Sequence, residues 1–486
     1  MTNQQLQALR SRMQQGGGDE KMEARRRDGL LSARERLDVL LDEGTFVECG
    51  ALVGGEQAPA QGVVSGFGAV DGRPVCVYAQ DFTVLGGSVG QAHAEKICRA
   101  MDAALANGVP LVALLDSAGA RLHEGLAAVA AYARVFRKAA DLHAQVPTIG
   151  VVAGPCIGAA AWAAGQMDFV FTTGPRAMVQ TWGPQVMQAA QAPLPTAEAV
   201  GVAQFHMQDE RQCMQAVRQL LAYLPPNCLE DAPQWQDVPR EDAAAQTLDT
   251  LTPGLYDMSA VLATVAEDVF ETSSAHGPAM ITAFGRFGGR TVGIVANQPR
   301  VQEGAIDGDA CDKAARFIDF CDSFRLPVVT LVDTAGVVLD PRQEAAGLVR
   351  RCSALLGSYA AATVPKITVL CGRANGSALA LMGCRELGMD AVYAWPQAQL
   401  SVLPAQTAAN ILYAREIAVA EDPAAARAAA VTRWQLEDSH PLAAAQLGLV
   451  DDIIAPRDTR AVLTATLELL LGKRERRAGY RIDRKL

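Results

Sequence analysis

Side chains that ordinarily hold metals or phosphates are scarce in this sequence. Its 486 residues include six histidines, at 93, 123, 143, 206, 276 and 440, and none falls in a metal-ligand spacing such as H-E-x-x-H. No metal is expected. The phosphate-cradling pattern G-x-x-x-x-G-K-S/T is missing too, which removes support for ATP chemistry on this chain. Positive charge is in deficit: 43 Lys and Arg stand against 53 Asp and Glu, a formal charge of −10. Neutralising nucleic-acid phosphates needs a cationic face, so nucleic acid is not an expected partner. Eleven cysteines never form C-x-x-C, and their odd number argues against a disulfide framework. Reduced thiols in a cytoplasmic protein are the expectation. Met1-Thr-Asn-Gln-Gln5 opens no charged segment followed by an apolar one, so no secretory signal is read there.

What the chain has in quantity is apolar and small residues: 50% are hydrophobic and 43 are glycine. That is enough to offset ordering entropy and build several cores, which excludes wholesale disorder. Residues 144–167 carry no charge, yet Pro147, Pro155 and four glycines interrupt them. They read as a buried strand, a turn and a small-residue helix, and no membrane is an expected partner.

A long internal repeat organises the sequence. At a constant offset of 217 residues, Gly87 recurs as Gly304, Lys96 as Lys313, Pro110 as Pro327, Asp116 as Asp333 and Gly119 as Gly336. A one-residue slip to 218 then pairs Pro147 with Pro365, Gly154 with Gly372, and Gly158 with Gly376. Each copy is far longer than a solenoid unit. Within it, short apolar runs (75–78, 111–115 and 149–152; 292–295, 328–332 and 367–370) alternate with helical patterns (92–107; 309–324). Such alternation implies α/β units whose parallel strands are covered on both faces. Ser32-Ala-Arg-Glu35 can form a capping box opening a helix through Leu41, with Gly44 as its stop. These signals divide the chain into a polar segment at 1–30, expected on the surface, a first domain at 31–225, a proline-rich linker at 226–253 and a second domain at 254–486.

The recurrent candidates for chemistry are main-chain groups at strand-to-helix turns. They are Gly86-Gly87 and Gly158-Ala159-Ala160 in the first copy, with Gly304 and Gly376-Ser377-Ala378 in the second. Small residues let a ligand oxygen approach the backbone, and free N–H groups there would form an oxyanion hole in each copy. The alternative is that the same glycines and alanines serve only tight helix–sheet packing.

Several segments resemble the carboxyltransferase (β) subunits of biotin-dependent acyl-CoA carboxylases. They include Gly62–Val75, Gln80–Ile97, Asp116-Ser-Ala-Gly-Ala-Arg-Leu-His-Glu-Gly125, Ala153–Gly158, Val295–Pro299, Asp312–Phe317, Thr363–Thr368 and Ile454–Arg460. The resemblance runs from about residue 31 to 475 and implies tandem crotonase-like domains, each an α/β ββα spiral. It implies that the first domain takes a coenzyme A thioester and the second takes carboxybiotin. The site would lie between subunits of a trimer of dimers, a homo-hexamer. Biotin would serve as the base and travel on a separate biotin carboxylase/biotin carrier subunit, since no Ala-Met-Lys-Met motif occurs here. The first hole maps to Gly158 and Ala159 with Gly87 as loop partner, and the second to Gly376, Ser377 and Ala378 with Gly304 nearby. Gly86, Ala118, Gly119, Ala120 and Ala380 complete the substrate-binding set.

Departures from the family pattern bear on activity. Ala118 and Ala159 stand where glycine is usual, Gly376-Ser-Ala-Leu-Ala380 replaces Gly-Gly-Ala-Tyr-Asp, and Gln191–Val202 lacks Leu-Gly-Gly-Ala. A biotin-dependent acyl-CoA decarboxylase α-type subunit and a non-catalytic partner of an active carboxyltransferase therefore stay open beside the carboxylase reading. Arg121 and Lys96 are candidates for CoA phosphates or for solvated or helix-paired roles, and His123 for the thioester. Trp162 and Trp182 are candidates for an acyl wall or for the core, Cys156 for a packed thiol, and 473–477 for a solvated tail.

Overall fold

The computed structural model describes residues 1–55, 58–174, 176–183, 186, 195–236, 242–437 and 439–473. Residues 191–194 of the departing segment, 237–241 of the expected linker and 474–477 of the basic tail lie outside the described residues. The chain forms two compact units, Met1–Ala232 and Pro233–Leu486.

The first unit opens with helices α1 (Asn3–Gln14), α2 (Asp19–Arg27) and α3 (Ala33–Leu40). The capping box at α3 forms as read: Ser32 Oγ accepts the Glu35 amide at 3.2 Å and the Glu35 carboxylate accepts the Ser32 amide at 2.8 Å. The helix stops one residue early because Leu41 is already extended. An eight-stranded sheet follows, built from β1 (Val47–Cys49), β2 (Val63–Val70), β3 (Arg73–Gln80), β4 (Leu111–Ser117), β5 (Thr148–Ile157), β6 (Phe169–Thr173), β7 (Met178–Gln180) and β8 (Phe205–Met207). Its order is β1-β2-β3-β4-β5-β6-β8, with β7 on the end of β5. β2 and β3 form an antiparallel hairpin, and β3 through β6 run parallel.

The helix α4 (Gln91–Asn107) buries Ala94, Ile97, Cys98, Met101 and Ala104, the stripe that a 3.6-residue period places on one face. It ends where Gly108 adopts a left-handed φ of 60°. With α5 (Leu126–Leu142) it covers one sheet face, and the core joins Ile97 and Met101 to Leu111, Leu115, Tyr132 and Val152. The strand β5, the helix α6 (Ala159–Gly165) and the intervening Gly158 turn account for the uncharged stretch at 144–167. No helix among the described residues is long and apolar enough to cross a membrane. Helix α7 (Glu210–Leu221) closes the unit.

The second unit repeats the plan. After α8 (Met258–Val265) come β9 (Glu267–Thr272), β10 (Met280–Phe287), β11 (Arg290–Asn297), α9 (Gly308–Ser323), β12 (Val328–Thr334), α10 (Leu348–Ala361), β13 (Lys366–Asn375) and α11 (Ser377–Leu381). β14 (Ala391–Ala394) and β15 (Gln399–Ser401) precede three helices that sequence periodicity does not announce, α12 (Ala405–Leu412), α13 (Ala414–Val419) and α14 (Pro423–Glu437). β16 (Asp452–Ile453) and α15 (Thr459–Leu470) finish it. The sheet order, β16-β14-β13-β12-β11-β10-β9 with β15 on β13, mirrors that of the first unit.

Most of the segment at 1–30 is exposed, with three residues turned inward. Met13 and Leu30 are buried, and Arg25 reaches inward to place Nη2 2.8 Å from Asp116 Oδ2. Polar composition hid this, because a buried arginine reads as a solvated one until its partner is known.

Candidate active site

In the first unit the strand ends of β4 and β5 open onto a cavity of about 500 Å³. Ala118, Gly119, Ala120, Gly158 and Ala159 all line it, together with Leu85, Arg121, His123 and Ile157. Gly86 and Gly87 are not in that lining, although Leu85 and Ser88 on either side are. The loop is held by pairing to the end of β4: Ala118 N–H donates to Gly86 O at 2.9 Å, and Ser117 Oγ donates to Gly87 O at 2.8 Å.

The expected donors must be reassigned. The Gly158 amide donates to Gln180 O at 2.9 Å and the Gly87 amide to Val84 O at 3.0 Å, so neither is free for a ligand. Gly158 instead turns the chain, with φ 62° and ψ −125°, from β5 into α6. The next amide, that of Ala159, has no partner among the described residues, and the same holds for Gly86 in the loop. Gly87 is there for space, since a Cβ would lie 2.2 Å from Asp116 O. A Cβ on Gly154 would likewise lie 2.0 Å from Asp116 Oδ1. Thus the packing explanation holds for Gly87 and Gly154, and unpaired amides remain at Gly86 and Ala159.

The second unit repeats both features. The Gly376 amide is committed to Ser401 O at 2.7 Å and the Gly304 amide to Val301 O at 2.8 Å. The amides of Ser377, Ala378 and Glu303 have no partner among the described residues. A Cβ on Gly304 would lie 2.4 Å from Asp333 O, and one on Gly372 2.3 Å from Asp333 Cγ. Ala380 sits half-buried on α11. Glu303 went unnoticed in the sequence, yet the 217 offset that pairs Gly87 with Gly304 pairs it with Gly86.

Other side chains are settled by burial. Lys96 is buried and donates Nζ to Ala60 O at 3.0 Å and Val63 O at 2.5 Å, and desolvation pushes its pKa down to about 8. Its repeat, Lys313, donates to Ser273 O at 2.8 Å and Met280 O at 2.6 Å, with its pKa also pushed down to about 8. Arg121 is spent on Gln61, Ser88 and Glu124. Neither Lys96 nor Arg121 is a solvated phosphate ligand. His123 is exposed at the cavity. Trp162 and Trp182 are 56% and 61% exposed, so the core reading fails for both, and neither lines the cavity. Cys156 is fully buried, with its thiol raised to about 12 by desolvation first and Asp116 second, which makes it a packed and unreactive group.

Gly86-Gly87-Ser88-Val89-Gly90 also spells G-x-S-x-G. Ser88 Oγ donates to Leu85 O at 2.7 Å and accepts from Arg121 Nε at 3.4 Å, and no histidine among the described residues bonds it, so no activated nucleophile arises there. The cavity therefore offers apolar walls and backbone donors, with exposed His123 at its edge.

Residues 24–482 match the carboxyl transferase domain family. The chain is 37% identical to the methylmalonyl-CoA decarboxylase subunit alpha of Propionigenium modestum, covering 97% of this chain and 96% of that one. It is 39% identical to the methylmalonyl-CoA carboxyltransferase 12S subunit of Propionibacterium freudenreichii subsp. shermanii, covering 98% and 95%. A propionyl-CoA carboxylase carboxyltransferase subunit of Haloferax mediterranei is 38% identical, covering 97% and 96%. Among solved structures, a transcarboxylase 12S hexamer with methylmalonyl-coenzyme A and methylmalonic acid bound superposes with a TM-score of 0.92 at 37% identity, covering 98% and 96%.

Proposed function

The chain belongs to the carboxyl transferase domain family and is a crotonase-like carboxyltransferase of the biotin-dependent carboxylase type, and from that premise we propose how its two units divide the work. The first unit takes a coenzyme A thioester, with the thioester oxygen on the Ala159 and Gly86 amides. Loss of a proton from the neighbouring carbon moves charge onto that oxygen, where each preorganised donor is worth ~3–4 kcal/mol. The second unit offers the amides of Ser377 and Glu303, with Ala378 behind them, to the ureido oxygen of biotin. Carboxybiotin, when bound, would supply the CO2 and, once decarboxylated, the proton acceptor, which fits a cavity where the unspent groups are backbone donors. Ala118, Gly119 and Ala120 shape the acyl end, and Ala380 on α11 stands where the family resemblance leads to an acidic residue lining the acyl pocket.

The observation that carries this reading is the pair of unspent amides at Gly86 and Ala159 beside the 500 Å³ cavity. A shared enolate serves carboxylation and decarboxylation alike, so the same amides fit either direction. The hexameric neighbour supports a homo-hexamer, and relatives named as subunits support a separate biotin carboxylase/biotin carrier partner. Eleven free thiols support a cytoplasmic setting. The test incubates the purified chain with free biotin and methylmalonyl-CoA or malonyl-CoA. Biotin-dependent decarboxylation is expected. Its absence, with the chain folded, leaves the non-catalytic partner in place of the enzyme. Co-purification with a biotinylated partner, and whether a membrane pump accompanies it, divides carboxylase from decarboxylase.

A further inference from the structure

We propose that Arg373 is a positioning residue for the donor loop of the second unit, holding Glu303 so that its amide meets a ligand oxygen. This rests on the reading of that amide as a donor. Gln302, Glu303 and Gly304 occupy the left-handed region in succession, with φ 49°, 56° and 70°. The first two carry side chains, for which that region is unfavourable, and such backbone persists only where its surroundings over-determine it.

One guanidinium adds to the restraint that the Ala335 amide places on Glu303 O at 3.0 Å. At the end of β13, Arg373 donates Nη1 to Glu303 Oε2 at 2.5 Å and Nη2 to Glu303 O at 3.2 Å. Its Nε anchors on Asp333 Oδ1 at 3.3 Å, and Asp333 is fully buried. The fork thus grips the side chain and the main chain of one residue while its base is pinned to the core. Gly254 leaves it room: a Cβ there would lie 2.7 Å from Arg373 Cζ, and the Gly254 amide completes the anchor by donating to Asp333 Oδ2 at 2.7 Å. In the first unit the 218 offset puts Pro155 at this position, and two of the three left-handed loop residues are glycines, with Leu85, Gly86 and Gly87 at φ 52°, 64° and 60°. Where glycine supplies the conformation, no clamp is built; where it does not, arginine supplies one.

The experiment uses the full chain, free biotin and methylmalonyl-CoA, with R373K, E303G and the double variant. Lysine can still face Asp333 but cannot fork, so R373K should keep the thermal midpoint and the directly measured methylmalonyl-CoA affinity while kcat falls about tenfold. On the E303G background, where glycine holds the turn unaided, the same change should cost less than about threefold. Hydrogen exchange at Gly304, Ala305 and Ala335, whose amides close the loop onto Val301, Gln302 and Glu303, should quicken in R373K about tenfold. Should R373K not fold, E303A on an exposed side chain carries the same test, with about a threefold loss expected. An equal penalty in both backgrounds, or unchanged exchange in an active protein, overturns the clamp. A wild-type chain inactive with biotin overturns the functional reading and the donor role of the amide with it.

Discussion

The two units hold the same buried carboxylate by opposite means. In the first, Asp116 is met by two arginines that come from far upstream, Arg25 on α2 with Nη2 at 2.8 Å and Arg36 on α3 with Nη1 at 3.0 Å. Arg36 also grips Glu210 with Nε at 2.8 Å, so two cations and two anions are sealed together with almost no solvent access. Burial alone would lower the Arg36 pKa, and the hydrogen bond to Glu210 with the charge of Asp116 outweighs it, leaving it raised. In the second unit Asp333 is met by one partly exposed arginine and by a glycine amide. The repeat keeps the carboxylate because its strand end must be tied beneath the loops. How its charge is balanced has been free to differ, and the N-terminal helices are the device peculiar to the first unit.

That contrast predicts the largest effect. Asp116→Asn removes a charge from between two buried cations and should destabilise the first unit by about 3–5 kcal/mol. Asp333→Asn leaves an arginine that reaches solvent and still holds Glu303, and should cost the second unit roughly 2 kcal/mol. Native-state hydrogen exchange, read at β4 and at β12 in each variant, measures both. An Asp333 penalty equal to or above that of Asp116 would break the comparison.

A second difference lies one turn into the long helix of each unit. His93 is wholly buried on α4, with Nδ1–H donating to Gln61 O at 2.9 Å and Nε2 accepting from Gln80 at 3.3 Å. Desolvation first, then the positive charges of Arg121 and Lys96, push its pKa down to about 3, against the bond to Gln61. At the equivalent place in the second unit stands Ala310. Between pH 6.5 and 3 the unfolded chain binds a proton at His93 that the folded chain refuses, so stability is present above pH 6.5 and lost as pH falls. At pH 5 the loss should be about 2 kcal/mol in the first unit. His93→Gln keeps hydrogen-bonding capacity without titrating and should flatten this part of the pH slope at α4. Identical slopes in the variant and the wild type would remove the histidine from the account.

Much of this architecture was legible from periodicity and repetition. The apolar runs at 111–115 and 328–332 and the stripe through Ile97 and Met101 have one structural solution each, because burial on both faces and a 3.6-residue face leave clear patterns. The offset that paired Asp116 with Asp333 also located both sites. What the sequence withheld was the disposition of individual amides: Gly158 and Gly376 look like donors, yet each is spent on a strand whose pairing with β5 or β13 no local pattern announces. Long-range charge was equally hidden. Nothing near Arg25 points 91 residues ahead to Asp116, and nothing near Glu303 points to Arg373. The hairpin strand β2 and the helices α12–α14 were missed because small residues and alanine weaken both periodic signals.

The smallest predicted effect interconverts the loops. Gly86 has φ 64°, and a Cβ there would lie 3.4 Å from Ala118 Cβ, in contact without a clash. Gly86→Ala therefore gives the first unit the kind of loop the second already has, a side-chain residue in the left-handed region, but without an arginine at position 155 to hold it. The expected cost is about 1 kcal/mol of local stability, from the left-handed penalty alone. Introducing Pro155→Arg cannot copy the clamp, because Ala at 86 offers no carboxylate and Asp116 is already paired. Gly86→Glu with Pro155→Arg supplies both halves, and recovery of the lost exchange protection at Gly87 and Ser88 in that double variant, beyond either single change, would show that the second unit's solution is transferable. Failure to recover would mean that the clamp depends on Gly254 and the single-arginine anchor on Asp333, and that the two loops reached the same backbone shape by routes that do not mix.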